Sequence, residues 1–276
     1  MALDSRGRFR DLLRQWRERR RMSQHGLALD AGISTRHLSF LETGRAQPRR
    51  EHVLALVRSL DIPLRARNEM LIAAGFAPVY RETALDAPGM EQVRRAVAFM
   101  LKQQEPFPAI VLDRHWNIVS SNPAMQRFTA LFLDARAAAL AGAPNIMRLT
   151  YHPKGLRSWI VNWEETASAY IQWLHRDLLR TGDPKSESLL EELLSYPGVP
   201  RQWLLLDLDA LDTVALPFLS MEFRNGDSRY SFFTTIASLG TPYDITLHEL
   251  RVECFFPSDR GTERALRSLA RAARRA

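Results

Sequence analysis

The sequence predicts an α+β protein in which an all-α bundle of five helices, built round a helix-turn-helix, precedes a mixed α/β domain. Three observations carry this. Residues 23–44, SQHGLALDAGISTRHLSFLETG, have the caps and spacings of two short helices joined by a tight turn. Apolar residues recur at helical spacing up to Gly75, and alternate as in strands over 108–122 and again after about 216. Charge divides at the same place: residues 1–75 hold 15 Lys and Arg against 8 Asp and Glu, and the remaining 201 hold 23 of each.

In helix 1, Phe9, Leu12, Leu13 and Trp16 recur at i, i+3, i+4 and i+7, opposite Arg8, Arg14, Arg17 and Arg19. Ser23 is placed to cap helix 2, and Gly32 to end it in a left-handed conformation. Ser34 and Gly44 do the same for helix 3. Counting Gln24 as position one, Ala28 falls at five, Gly32 at nine, Leu38 at fifteen and Leu41 at eighteen. The small residue lets two helices cross closely, the glycine makes the turn, and the leucines pin one helix onto the other. Residues 45–50 form a connector. Helix 4 turns Val53, Leu54, Val57 and Leu60 inward. Pro63 suits the first turn of helix 5, which carries Leu64, Met70, Leu71 and Ala74 and stops at Gly75.

A basic excess confined to this bundle is the electrostatic footprint of phosphate binding, so double-stranded DNA is the expected partner. Helix 3 would enter the major groove N-terminus first. Ser34, Thr35, Arg36, His37, Ser39 and Phe40 lie along its reading end. Arg36 can give two hydrogen bonds to guanine, and Thr35 a methyl to thymine or a hydroxyl to phosphate. Gln24 suits a phosphate contact at the start of helix 2, and Thr43, Arg45 and Arg49 suit the backbone on the far side. A single helix-turn-helix makes few base contacts, so a homodimer on a palindromic site is expected.

Residues 12–80 resemble the phage-repressor (Cro/C1, XRE) type of helix-turn-helix. RHLSFLETGR, PLRARN and AAGFAP, taken together, resemble one family within it, the MmyB-like transcription regulators. That family typically has Pro-Ser-Arg where this chain has Pro48-Arg49-Arg50, a difference that removes a cap from helix 4.

Residues 76–90, with Pro78, Pro88 and Gly89, read as a linker, and a helix over about 90–104 presents Val93, Val97, Met100 and Leu101. Residues 108–122 alternate like a hairpin turning near 113–117, and the hairpin, Asn122 and a short helix are how many PAS domains begin. Residues 145–154 read as an irregular link. A long helix is expected over about 159–181, with Ile160, Trp163, Ala167, Tyr170, Ile171, Leu174 and Leu178 on its broad face, and another over 186–196. Strands follow at 216–224 and 228–236 around Asn225-Gly226, and at 245–256, where Leu250, Val252, Cys254 and Phe256 alternate with Arg251 and Glu253. Together these suggest a mixed sheet covered by helices on one face. The C-terminus, 263–276, reads as a basic amphipathic helix or tail.

The resemblance extends through QEPFPAIVLDRHWNIVSSN, NIMRLTYHPKGLR, IVNWEE, LLEELLSYPGVP and TPYDITLHELRVECFFPSD, so it covers almost the whole chain. It implies a PAS-like sensor domain that binds a long-chain fatty acid or similar apolar ligand as effector, with no cofactor. The domains would be a DNA-binding domain at 1–80, a linker and helix at 81–104, the PAS-like domain at 105–260 and a basic tail at 261–276. An acyl slot needs apolar walls and a polar mouth. Trp116, Trp159, Trp163, Phe218, Phe223, Phe232 and Phe233 can line it, and Arg148, His152, Arg157 and Asn162 are candidates for the polar end.

Other chemistry finds little support. His248-Glu249 lacks the second histidine of a zinc motif, and Asp207, Asp209 and Asp212 lack the glycine and distal glutamate of a calcium loop. There is no nucleophile elbow and no phosphate-binding glycine loop, which argues against an enzyme. The single cysteine, Cys254, excludes an internal disulfide and suits the cytoplasm. No apolar run is long enough for a membrane span. The remaining rival is a PAS-like half that serves only for dimerisation or protein interaction.

Overall fold

The computed structural model describes residues 5–140, 144–205, 220–239 and 244–275. They fall into two compact units. The first holds the described residues to Thr83 together with Leu179–Thr181 and 244–248, and the second holds the rest.

Five helices build the first unit: α1 (Ser5–Arg19), α2 (Gln24–Asp30), α3 (Thr35–Glu42), α4 (Arg50–Ser59) and α5 (Leu64–Ala73). Local chemistry sets their ends. Ser23 Oγ accepts from Gly26 N, and Ser34 Oγ accepts from His37 N. Gly32 takes φ +67° and Gly44 +74°, conformations a side chain would strain. Arg49 precedes α4 with no side-chain cap. Phe9, Leu13, Trp16, Leu27, Leu38, Leu41, Val53, Val57 and Met70 form one buried core. Leu56 is wholly buried and Leu54 only partly, and Pro63 stands just before α5, not in its first turn.

The first helix of the second unit is α6 (Glu91–Gln103). The hairpin β1 (Ala109–Leu112) and β2 (Ile118–Ser121) turns where Asp113 Oδ1 accepts from the backbone of His115 and Asn117. Asn122 then caps α7 (Pro123–Thr129) and does more. Its Oδ1 accepts from Ala109 N and Met125 N, and its Nδ2 donates to the carbonyls of Phe107 and Leu101. One buried amide thus joins the end of α6, the start of β1 and the first turn of α7.

After α8 (Ala135–Leu140) comes α9 (Ile146–Tyr151), where a link was expected. Asn145 caps it through Arg148 N, and six residues are too few to show a helical period. The long helix α10 (Trp163–Thr181) begins later than its apolar pattern suggests. Trp159 ends a 3-10 turn, and Ile160 bridges to Phe223. Helix α11 (Pro184–Ser195) is capped by Asp183.

Strands β3 (Ser220–Asn225) and β4 (Ser228–Ser238) pair around Gly226-Asp227, one residue beyond the expected turn. Asn225 stays in the ladder and Gly226 supplies the positive φ, +57°. Residues 216–219 of the expected strand lie outside the described part. The strand expected at 245–256 is split: α12 (Ile245–Glu249) comes first, its backbone N–H at Thr246 bound by Asp244, and β5 (Arg251–Pro257) follows. The last helix, α13 (Arg260–Ala273), buries Leu266 and Ala270.

The strand order is β2-β1-β5-β4-β3 and every pairing between these strands is antiparallel, so the sheet is not mixed. One face, carrying Ile110, Leu112, Phe223, Tyr230, Phe232 and Phe255, shares a core with α7, α9, α10 and α11. Phe233 and Phe256 stack on the opposite face, rings 5.1 Å apart. Because β5 is central, its register puts Glu253 on the helix-covered side, at 0% exposure, although it alternates with the apolar residues of the strand.

Candidate nucleic-acid interface and ligand cavity

Helix α3 is held by its inner face. Leu38 and Leu41 are buried against Ala28 and Leu27 of α2. Ser34, Thr35 and Arg36 are left exposed at its N-terminus, with Ser39 and Phe40 half-buried. The Arg36 guanidinium lies 5.3 Å from the Phe40 ring centre, and Thr35 Oγ1 lies 3.4 Å from His25 Nδ1. Thr43, whose hydroxyl donates to Ser39 O, is exposed together with Arg45 and Arg49.

Two expected contact residues are partly engaged. His37 Nε2 is 3.1 Å from His52 Nδ1. An N–H···N bond between two imidazoles needs a neutral ring, and burial, then His52 and Arg49, hold His37 below its ordinary pKa. Gln24 Nε2 donates to Glu42 Oε2 at 2.8 Å. Arg17 grips the same carboxylate with Nε at 2.6 Å and Nη2 at 3.0 Å. This Arg17–Glu42–Gln24 network, with the Glu42 side chain 3% exposed, braces α1, α2 and the end of α3. Spacing within one helix does not reveal it.

In the second unit, between the sheet and the helices, lies a cavity of about 440 Å³. Helix α7 gives it Met125 and Phe128, α9 gives Ile146 and Leu149, and the sheet gives Met221, Phe223 and Phe255. The volume falls in the roughly 300–1,000 Å³ range of small-molecule sites.

Beside it is a buried polar cluster. Tyr170, which lines the cavity, donates to Glu253 Oε1 at 3.1 Å. Glu253 Oε2 and Thr234 Oγ1 are buried and make no hydrogen bond of ordinary geometry. Burial pushes the Glu253 carboxyl from 4.5 up to about 7, while the Tyr170 hydroxyl and the nearby Thr234 hydroxyl draw it down by less. Burial, then Glu253, pushes the Tyr170 phenol well above its ordinary value.

Of the residues expected to hold a ligand, Phe223 lines this cavity. The four polar candidates do not, because each has another partner. Arg148 is bidentate to Glu192, at 2.8 and 2.7 Å. Arg157 donates to Pro197 O and lies over Trp163, 4.6 Å from the ring centre. Asn162 donates to Ser220 O and accepts from Glu222 N, tying the start of α10 to β3. His152 Nδ1 accepts from Lys154 N. Trp116 is core, with Arg251 4.8 Å from its ring centre. Trp159 packs on Phe132 and Trp163 on Tyr151. Phe232 is core, and Phe218 lies outside the described residues. In the sequence Tyr170 reads as one of the residues on a helix's apolar face, and Glu253 as a charge alternating with apolar residues. The signal passed over is a lone carboxylate in the middle of an apolar strand.

Among the described residues, no group of three or more His, Cys, Asp or Glu is placed to hold a metal, and no helix is long and apolar enough to cross a membrane. Residues 93–269 match the family model described as MmyB-like transcription regulator ligand binding domain, and residues 8–70 match a helix-turn-helix domain model. No curated protein matches the chain. A solved structure titled "Structure of an RNA-binding Light-Oxygen-Voltage Receptor" is similar over 96% of this chain and 62% of that one. At 13% identity and a TM-score of 0.26, that likeness carries no argument, and this chain spans less than two thirds of it.

Proposed function

The chain belongs to the MmyB-like transcription regulators, and from that premise we propose that it reads a palindromic operator as a homodimer and senses a fatty acid or similar long apolar compound. The two matched domains together make it a ligand-responsive DNA-binding transcription regulator. The apolar ligand class rests on a single observation: the matched ligand domain contains a cavity of about 440 Å³ with walls that are mostly apolar. On the DNA side, Arg36 reads base edges, and Thr43, Arg45 and Arg49 hold phosphates. We read the chain as a cytoplasmic regulator with no catalytic role.

The mechanism is a population shift. A ligand that fits one arrangement of the sensor better than another favours it, and a large switch needs a preference of several kcal/mol. Native mass spectrometry of the purified full-length protein after gentle desalting tests the sensor half. A retained or added long-chain compound, one per chain, supports the reading. Failure to take up any such compound favours the rival in which this half only dimerises.

A further inference from the structure

The neutral charge of residues 76–276 is an average over two unlike parts. Residues 76–259 hold 17 Lys and Arg against 22 Asp and Glu, whereas 260–276 hold six Arg against one Glu. Those six stand on α13 and just after it. Arg260, Arg264, Arg267, Arg271 and Arg274 follow at steps of four and three residues, which on a helix makes a single stripe. At a helical rise of about 1.5 Å per residue the stripe is about 21 Å long, and Arg275 lies beside it. All six are exposed, while Thr262, Leu266 and Ala270 on the opposite face are buried. One guanidinium is engaged: Arg267 Nε donates to Glu263 Oε1 at 2.9 Å and the group lies 5.4 Å from the Phe107 ring centre. Among the described residues, no acidic side chain pairs with the other five.

Stability does not account for this stripe. Like charges three and four residues apart repel, and Arg260 and Arg264 stand at the end of the helix where the dipole favours anions. The stripe suits a polyanion of regular spacing. Over about 21 Å one strand of a duplex presents about six phosphates, and a guanidinium fork meets phosphate oxygens with two parallel hydrogen bonds. A bilayer surface is the poorer partner. An interfacial helix buries its apolar face among lipids, and the apolar face of α13 is already packed inside the domain through Leu266 and Ala270. We propose that α13 is a second duplex-binding surface, one that holds DNA phosphates without reading sequence. This rests on the DNA-binding reading above and extends it from α3 to the ligand domain.

The test uses the purified full chain and a fluorescein-labelled duplex of about 30 base pairs and mixed sequence, with anisotropy read at about 50–200 mM salt. A variant carrying Arg264→Gln, Arg271→Gln, Arg274→Gln and Arg275→Gln is expected to bind at least about tenfold more weakly at about 100 mM salt. Its slope of log K against log salt should be shallower by about 2–4. Lysine at the same four positions should restore the slope, which separates lost charge from lost fold. A control carrying Arg95→Gln, Arg136→Gln, Arg176→Gln and Arg224→Gln, all exposed on other elements, removes the same charge and should stay within about threefold of the parent. A glutamine variant of α13 that matches the parent overturns the proposal and leaves the DNA-binding reading standing. A control that loses as much overturns it too, since the effect is then one of net charge. If the four glutamines abolish binding to phosphatidylglycerol vesicles and leave the duplex affinity unchanged, the surface belongs to a membrane instead. If the parent binds no duplex at all, the DNA-binding reading falls and takes this one with it.

Discussion

Tyr170 on α10 donates its phenolic proton to Glu253 Oε1 on β5 at 3.1 Å, across 83 residues of sequence. Tyr170 is 1% exposed and Glu253 0%. Tyr170 lines the apolar cavity, and the second carboxyl oxygen of Glu253 is buried without a hydrogen bond of ordinary geometry. Burying such an atom costs on the order of 1–3 kcal/mol, so a chain selected for stability alone would place an apolar residue there.

The buried carboxyl makes stability depend on pH. Its pKa is raised on folding, from 4.5 to about 7, so the native state binds the proton more tightly than the unfolded state. The stabilisation is complete below about pH 4.5 and is lost as pH rises through about 7. Glu253→Gln should remove this component and, above the window, gain about 3 kcal/mol over the parent. Urea unfolding at a series of pH values checks it. Parallel profiles for parent and variant would show that Glu253 does not titrate in this way.

Arg36→Ala should cost about 1–3 kcal/mol at one base pair and relax discrimination there, while the fold persists because Arg36 is exposed. Footprints with systematically substituted operators measure it. An unchanged pattern of preference would take Arg36 out of the groove.

Glu42→Ala strips Arg17 and Gln24 of their shared acceptor. It should destabilise the first unit by about 3 kcal/mol, since removing one partner of a buried pair exposes the other's desolvation cost. Chemical denaturation followed by Trp16 fluorescence reads it. A loss below about 0.5 kcal/mol would mean the network is ornamental.

Asn122→Ala breaks four hydrogen bonds at once, three of them buried, and should cost about 3 kcal/mol or more. Asn122→Asp keeps the acceptor and loses the donors, so it should fall between the two. If alanine and the parent unfold at the same urea concentration, Asn122 is not the hub described here.

Features set by neighbours in sequence were legible. Ser23, Ser34, Gly32 and Gly44 act within a turn of their own positions, and the hairpin with Asn122 spans only 15 residues. Features set by distant packing were not. Alternation fixes which residues of β5 share a face, but not that the face of Glu253 is the covered one. Arg148 reads as a carboxylate grip, and it is one, but the carboxylate is Glu192, 44 positions away. The walls of the cavity look like ordinary core because Phe128, Leu149 and Phe255 are ordinary core on their other sides.

The decisive measurement is operator affinity of the purified full chain with and without a saturating long-chain compound, by fluorescence anisotropy at fixed salt. A coupling between the two matched domains requires a change of about fivefold or more, and linkage requires operator DNA to change the affinity for that compound by the same factor. Identical operator affinities, with the compound demonstrably bound, would contradict the account.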